Sequence, residues 1–125
     1  MGRILVVDDN ELVRATTRTI LESAGHHVED AADGDAALRR FAGAKPDLIL
    51  TDIVMPNKEG IGLIIELRRL GYHGRIIAMS GGGKIGPSDL LVMARKLGAD
   101  DVLAKPFHRA DLLARVSACL ALDGQ

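Results

Sequence analysis

Two rhythms of hydrophobic and polar residues divide the chain. Short runs at Arg3–Val7, His27–Ala31, Asp47–Thr51, Arg75–Met79 and Asp101–Ala104 carry strand signals. Three of them contain continuous apolar stretches, Ile4-Leu5-Val6-Val7, Leu48-Ile49-Leu50 and Ile76-Ile77-Ala78-Met79. Parallel strands covered on both faces have this pattern, because neither face meets water. His27–Ala31 is more polar and is expected at a sheet edge. Between these runs, apolar residues recur at helical spacing from Leu12 or Val13 to Leu21, and over Ala36–Phe41, Ile61–Leu70, Leu90–Leu97 and Leu112–Leu122.

The punctuation agrees with that division. Gly25, Gly71 and Gly98 stand where helices should end in a left-handed residue, and Asn10 and Asp33 suit N-caps. Strands alternating with helices in one short domain predict an α/β fold, a parallel sheet joined by right-handed crossovers with helices on both faces. No internal repeat, linker or low-complexity tract interrupts it. The expected organisation is one domain over residues 1–125 with no separate output domain, since single domains commonly run to about 100–150 residues.

Composition narrows the function classes. At 47% hydrophobic and 26% charged, the chain can bury a core. Sixteen basic residues against 17 acidic ones give a net charge of −1, which supplies no basic field for nucleic acid or anionic lipid. Tyr72, Phe41 and Phe107 are the only aromatics, too few for a base-stacking platform. Direct nucleic-acid binding is therefore not expected. One cysteine, Cys119, makes no internal disulfide, which fits a reducing compartment and a cytoplasmic reading. No apolar run approaches the roughly 18 residues of a membrane span, so membrane insertion is not expected either.

In an open α/β sheet, ligands bind beyond the carboxyl ends of the strands. The first strand run leads into Asp8-Asp9, the third into Asp52, the fourth into Ser80 and the fifth into Lys105. In a parallel sheet all of these share one rim. Crowded carboxylates raise one another's pKa unless a cation neutralises them, and Mg2+ suits such a cluster because it takes oxygen ligands and keeps several waters. With the metal on one side and Lys105 on the other, a phosphoryl group arriving at one carboxylate has its charge neutralised from both sides. Ser80 can add a hydrogen bond. Each piece alone has an ordinary reading: an acidic pair near a helix start, a turn aspartate ahead of Met55-Pro56, a loop serine before glycines, a solvated lysine before proline. Those readings leave the joint placement at four strand ends unaccounted for.

Three segments carry a family resemblance: Ile4-Leu5-Val6-Val7-Asp8-Asp9-Asn10; Asp47 through Pro56 with Gly60; and Gly98-Ala99-Asp100-Asp101-Val102-Leu103-Ala104-Lys105-Pro106-Phe107. In this order and within one domain length, the chain resembles a stand-alone response-regulator receiver domain of two-component signalling, of the chemotaxis-receiver kind. The resemblance implies a flavodoxin-like fold with strand order 2-1-3-4-5. It implies that Asp52 accepts a phosphoryl group from a sensor histidine kinase or a histidine phosphotransfer protein. It further implies that Asp9 and Asp52 hold Mg2+ directly, that Asp8 acts partly through water, and that the Val54 carbonyl adds a ligand. Lys105 pairs with the phosphoryl oxygens, Ser80 closes over them, and a cis bond before Pro106 aims Lys105. Output then passes to a partner protein that the sequence does not identify, docked on the fourth helix, fifth strand and fifth helix.

Two features depart from the family pattern. An aromatic residue usually stands where this chain has Val102, whose β-branched side chain has no large in-and-out excursion to report. Ser80 and Lys105 are 25 positions apart, so the loop Gly81–Pro87 is longer than usual, and it is expected to be the moving element when Ser80 engages the phosphoryl group. Within that loop, Gly81-x-Gly83-x-x-Gly86 matches a dinucleotide fingerprint, but the next strand ends in Lys105 where an acidic ribose ligand belongs. The histidines His26, His27, His73 and His108 show no metal-ligand spacing, and Cys119 reads as a buried small hydrophobe.

Competing readings are a receiver-fold docking module that acts without phosphorylation, which Val102 would suit, and a haloacid-dehalogenase-type phosphatase. The latter family needs a second acid two positions beyond the nucleophile, where this chain has Val54. A flavin or nucleotide carrier is more distant. Val54 and Gly82 offer no polar group to orient an attacking water, so self-dephosphorylation is expected to be slow.

Overall fold

The computed structural model describes residues 2–52, 59–81, 92–93 and 95–122. Its elements are β1 (Arg3–Val7), α1 (Glu11–Ser23), β2 (His27–Ala31), α2 (Gly34–Gly43), β3 (Leu48–Asp52), α3 (Glu59–Arg69), β4 (Arg75–Gly81), α4 (helical at 92–93 and 95–97), β5 (Asp101–Lys105) and α5 (Arg109–Leu122). The strands form one five-stranded sheet in the order β2-β1-β3-β4-β5, and every neighbouring pair is parallel. The polar strand β2 lies at an edge, as its sequence predicts.

Strand alternation explains the continuous apolar runs. Leu5, Val7, Ile49, Ile76 and Ala78 project to one face, where they pack with Ala37 and Phe41 of α2, Leu63, Ile64 and Leu67 of α3, and Met93 and Leu97 of α4. Ile4, Val6, Leu48, Leu50, Ile77 and Met79 project to the other, against Leu21 of α1 and Leu112, Val116 and Cys119 of α5. Both faces of the sheet are thus excluded from water, and no position in these strands can be polar without a partner.

Local chemistry sets the helix ends. The Asn10 side chain accepts from the Val13 N–H at 3.0 Å, and Asp33 accepts from the Ala36 N–H at 2.8 Å, each satisfying a donor that the first helical turn leaves free. Gly25, Gly71 and Gly98 all have positive φ, as their placement after helices predicts.

Two details differ from the pattern reading. Leu12 is 75% exposed, because α1 turns its Val13, Thr17 and Leu21 stripe inward, one residue round the helix. The strands also run further than their apolar stretches. Asp52 pairs with Met79, Ser80 with Ala104 and Gly81 with Lys105, so the polar residues that seem to terminate strands lie within the hydrogen-bonded ladder. Val54 and the loop beyond Gly81 as far as Pro87 lie outside the described residues.

Candidate functional site

The rim at the carboxyl ends of β1, β3 and β5 gathers the predicted polar residues. One carboxylate oxygen from each of Asp8, Asp9 and Asp52 lies within 4.8 Å of the others. Asp8 is fully buried, Asp52 is 6% exposed, and Asp9 faces solvent. The Lys105 ammonium reaches into this group, donating to Asp8 Oδ2 at 2.6 Å and to Asp52 Oδ2 at 2.8 Å. A cis peptide bond joins Lys105 to Pro106, as the family resemblance implies. Ser80, 8% exposed, occupies the neighbouring position on β4, one residue past the level of Asp52.

Burial works against the charge on Lys105, yet the hydrogen bonds and charges of Asp52 and Asp8 outweigh it and leave the ammonium pKa above its ordinary value. Lys105 therefore stays protonated at neutral pH. One ammonium against three carboxylates still leaves the cluster anionic. A hard divalent cation suits what remains: oxygen donors of three side chains, one of them open to water.

Asp8 is held at every polar atom. Its N–H donates to the Ala31 carbonyl at 3.2 Å, extending the β1–β2 ladder. Its Oδ1 accepts from the Asn10 N–H at 2.9 Å, and its backbone carbonyl accepts from Arg14 Nη1 at 2.8 Å. Arg14 in turn pairs with Asp30 of β2 at 3.5 Å, and Asp30 also accepts from Arg18 Nη1 at 3.0 Å. Sequence reading missed Arg14 and Asp30. The signal was faint, an arginine one helical turn beyond the N-cap of α1, and nothing in the pattern points such a side chain back toward β1.

An apolar groove of about 540 Å³ adjoins the cluster. Leu12, Val13, Thr16 and Thr17 of α1 form one wall, and Lys105, Pro106 and Phe107 form the other. Among the described residues, no helix is long and apolar enough to cross a membrane.

Known proteins share this fold and a substantial part of its sequence. The family model for the response regulator receiver domain matches residues 4–117. The transcriptional regulatory protein PrrA of Mycobacterium leprae (strain TN) is 38% identical over 122 residues, which cover 98% of this chain and 51% of that protein. The chain spans about half the length of the curated relatives it matches. The Vibrio cholerae chemotaxis protein CheY4 superposes with a TM-score of 0.85 at 29% identity, covering 95% of this chain and 98% of that one. The receiver domain of Francisella response regulator 1452 gives 0.88 at 28% identity, covering 98% and 99%. With a family match across most of its length and a sheet in the 2-1-3-4-5 order, the chain belongs to the response regulator receiver domains, the phosphoacceptor family of two-component signalling.

Proposed function

We propose that this chain is a receiver that takes a phosphoryl group on Asp52 from a histidine kinase or a histidine phosphotransfer protein and passes the signal through a partner protein. The observation that carries this reading is the Lys105 ammonium bonded to Asp52 and Asp8 within a cluster of three carboxylates. Asp52 is the nucleophile: its carboxylate oxygen forms the new P–O bond while the P–N bond to the donor imidazole breaks. Lys105 moves from neutralising Asp52 to neutralising the arriving phosphoryl oxygens, a charge already in place before the reaction. Ser80 supplies a hydroxyl from the end of β4.

The three carboxylates fit Mg2+: Asp9 and Asp52 would hold it directly, and by the family resemblance the Val54 carbonyl would add a further ligand. Asp8, whose two oxygens already accept from Lys105 and the Asn10 N–H, suits contact through water. When bound, the ion supplies positive charge to the phosphoryl oxygens. The groove beside Lys105, with Leu12 exposed on its wall, supports approach by a protein donor. Val54 and Gly82 bring no polar side chain to orient water, which supports slow loss of the phosphoryl group. A cytoplasmic setting with output through a partner protein completes the reading.

The test is an NMR titration of the 15N-labelled chain. Mg2+ should shift the amides of Asp8, Asp9 and Asp52, and beryllofluoride, a phosphoryl mimic, should then shift those of Ser80 and Lys105. Spectra unchanged by both additions would overturn the proposal.

A further inference from the structure

Asp9 stands apart from its neighbours in the cluster. Lys105 and the Asn10 N–H orient Asp8, and Lys105 orients Asp52. Among the described residues, no hydrogen bond or ion pair orients the Asp9 carboxylate, which is exposed. Its reach toward the cation site therefore depends on where the backbone sets its Cα–Cβ bond. Both peptide units flanking Asp9 are gripped. The unit before it carries the Asp8 carbonyl that accepts from Arg14 Nη1 at 2.8 Å. The unit after it carries the Asn10 N–H that donates to Asp8 Oδ1 at 2.9 Å.

Arg14 is itself anchored on two sides. Its backbone N–H donates to the Asn10 carbonyl at 2.9 Å within the first turn of α1, and its Nε faces Asp30 Oδ1 at 3.5 Å. Asp30 is paired in register with Val6 on the adjacent strand β1. The guanidinium thus ties the turn between β1 and α1 to β2. A planar group with several fixed donors can hold a carbonyl and a carboxylate at once, which a lysine cannot do in the same geometry.

We propose that Arg14, held by Asp30, is a positioning residue for Asp9: it fixes the Asp8–Asp9 peptide so that the Asp9 carboxylate is aimed at the cation site. This rests on the metal-site reading above. Groups outside the ligand shell that orient ligands commonly change metal affinity by about 10–100-fold when removed. The sign of the effect separates positioning from simple charge. Deleting a cation beside an anionic cluster should tighten binding of a divalent ion by through-space attraction, whereas loss of positioning weakens it.

The experiment is isothermal titration of the full chain with Mg2+, alongside Arg14→Ala, Arg14→Lys, Asp30→Asn and the Arg14→Ala/Asp30→Asn double variant, each checked for folding by circular dichroism. Arg14→Ala should bind Mg2+ about ten-fold more weakly, and Arg14→Lys should recover only part of the loss. Asp30→Asn should show a smaller loss in the same direction and add nothing once Arg14 is gone. At saturating Mg2+, phosphorylation of Arg14→Ala by acetyl phosphate should return to the parent level, because Asp52 and Lys105 are intact. Folded Arg14→Ala with unchanged or tighter Mg2+ binding overturns the proposal, even if its melting temperature falls. If Arg14→Ala does not fold, Arg14→Lys decides, because it keeps the charge, and unchanged affinity there overturns the proposal. A parent chain that takes up no Mg2+ overturns the metal-site reading itself, a result distinct from either.

Discussion

His26 gives the residue scale a clear pH dependence. Its Nδ1 accepts the Gly2 N–H at 3.1 Å, a bond that requires the neutral ring. Burial first, and then the nearby N-terminal charge, lower its pKa from the ordinary 6.5. The folded chain therefore binds fewer protons here than the unfolded chain does. This contribution to stability is whole above pH 6.5 and is lost as pH falls through the lowered value. Urea midpoints measured near pH 7.5 and 5.5 should separate more for the parent than for His26→Asn. Equal separations would remove His26 from the account. Lys105 has the opposite sign: its pKa is raised, so its contribution is complete below 10.5 and fades only in strong base. At this scale the sequence was informative about which polar residues gather at the rim, Asp8, Asp9, Asp52, Ser80 and Lys105. It was silent on Arg14 and His26, because a side chain that bonds a backbone carbonyl or accepts a backbone N–H has no compositional signature.

Among the elements, Arg68 joins three that pattern reading treats separately. From the last turn of α3 it donates to the carbonyls of Tyr72 and Gly74 at 2.8 and 2.9 Å, to that of Gly98 at 2.9 Å, and to Asp100 Oδ2 at 3.1 Å. Asp100 closes the link by accepting from the Ile76 N–H of β4 at 2.9 Å. Replacing Arg68 by Met should cost about 1–3 kcal/mol, because several carbonyls lose a donor while water reaches some of them. Gly98→Ala should cost about 1–2 kcal/mol for the left-handed backbone, and its Cβ would also lie 2.8 Å from Arg68 Cγ. Urea unfolding of both variants checks this, and stabilities within 0.5 kcal/mol of the parent would contradict it. Element types and order were legible, since buried parallel strands and capped helices leave distinct patterns. Strand ends were not: Asp52, Ser80 and Lys105 are polar, so hydrophobicity alone stops short of them, although their backbones continue the ladder.

Taken as a whole, the molecule is a sheet whose two covered faces do the folding and whose carboxyl rim is left for chemistry. Hydrophobic alternation accounts for the first, with Leu50 and Ile49 both fully buried on opposite faces. Parallel topology accounts for the second, because it brings strand ends that are far apart in sequence to one edge. Lys105 and Asp8 are 97 positions apart in the chain, and yet Lys105 Nζ lies 2.6 Å from Asp8 Oδ2. That convergence could be inferred from the sequence once the strands were taken as parallel. The Arg14–Asp30 link from α1 to β2 left no pattern in the sequence.

The central claim, that Asp52 is a phosphoacceptor, is tested most directly by intact mass. The chain is incubated with Mg2+ and acetyl phosphate, with Asp52→Asn in parallel. Asp52→Asn keeps the Lys105–Asp8 pair, so a compact fold is expected for it, checked by circular dichroism. The parent should gain one phosphoryl group, abolished by chelating Mg2+ and absent in Asp52→Asn. A gain that persists in folded Asp52→Asn would place the acceptor elsewhere. No gain, together with no response to beryllofluoride, would contradict the phosphoacceptor mechanism.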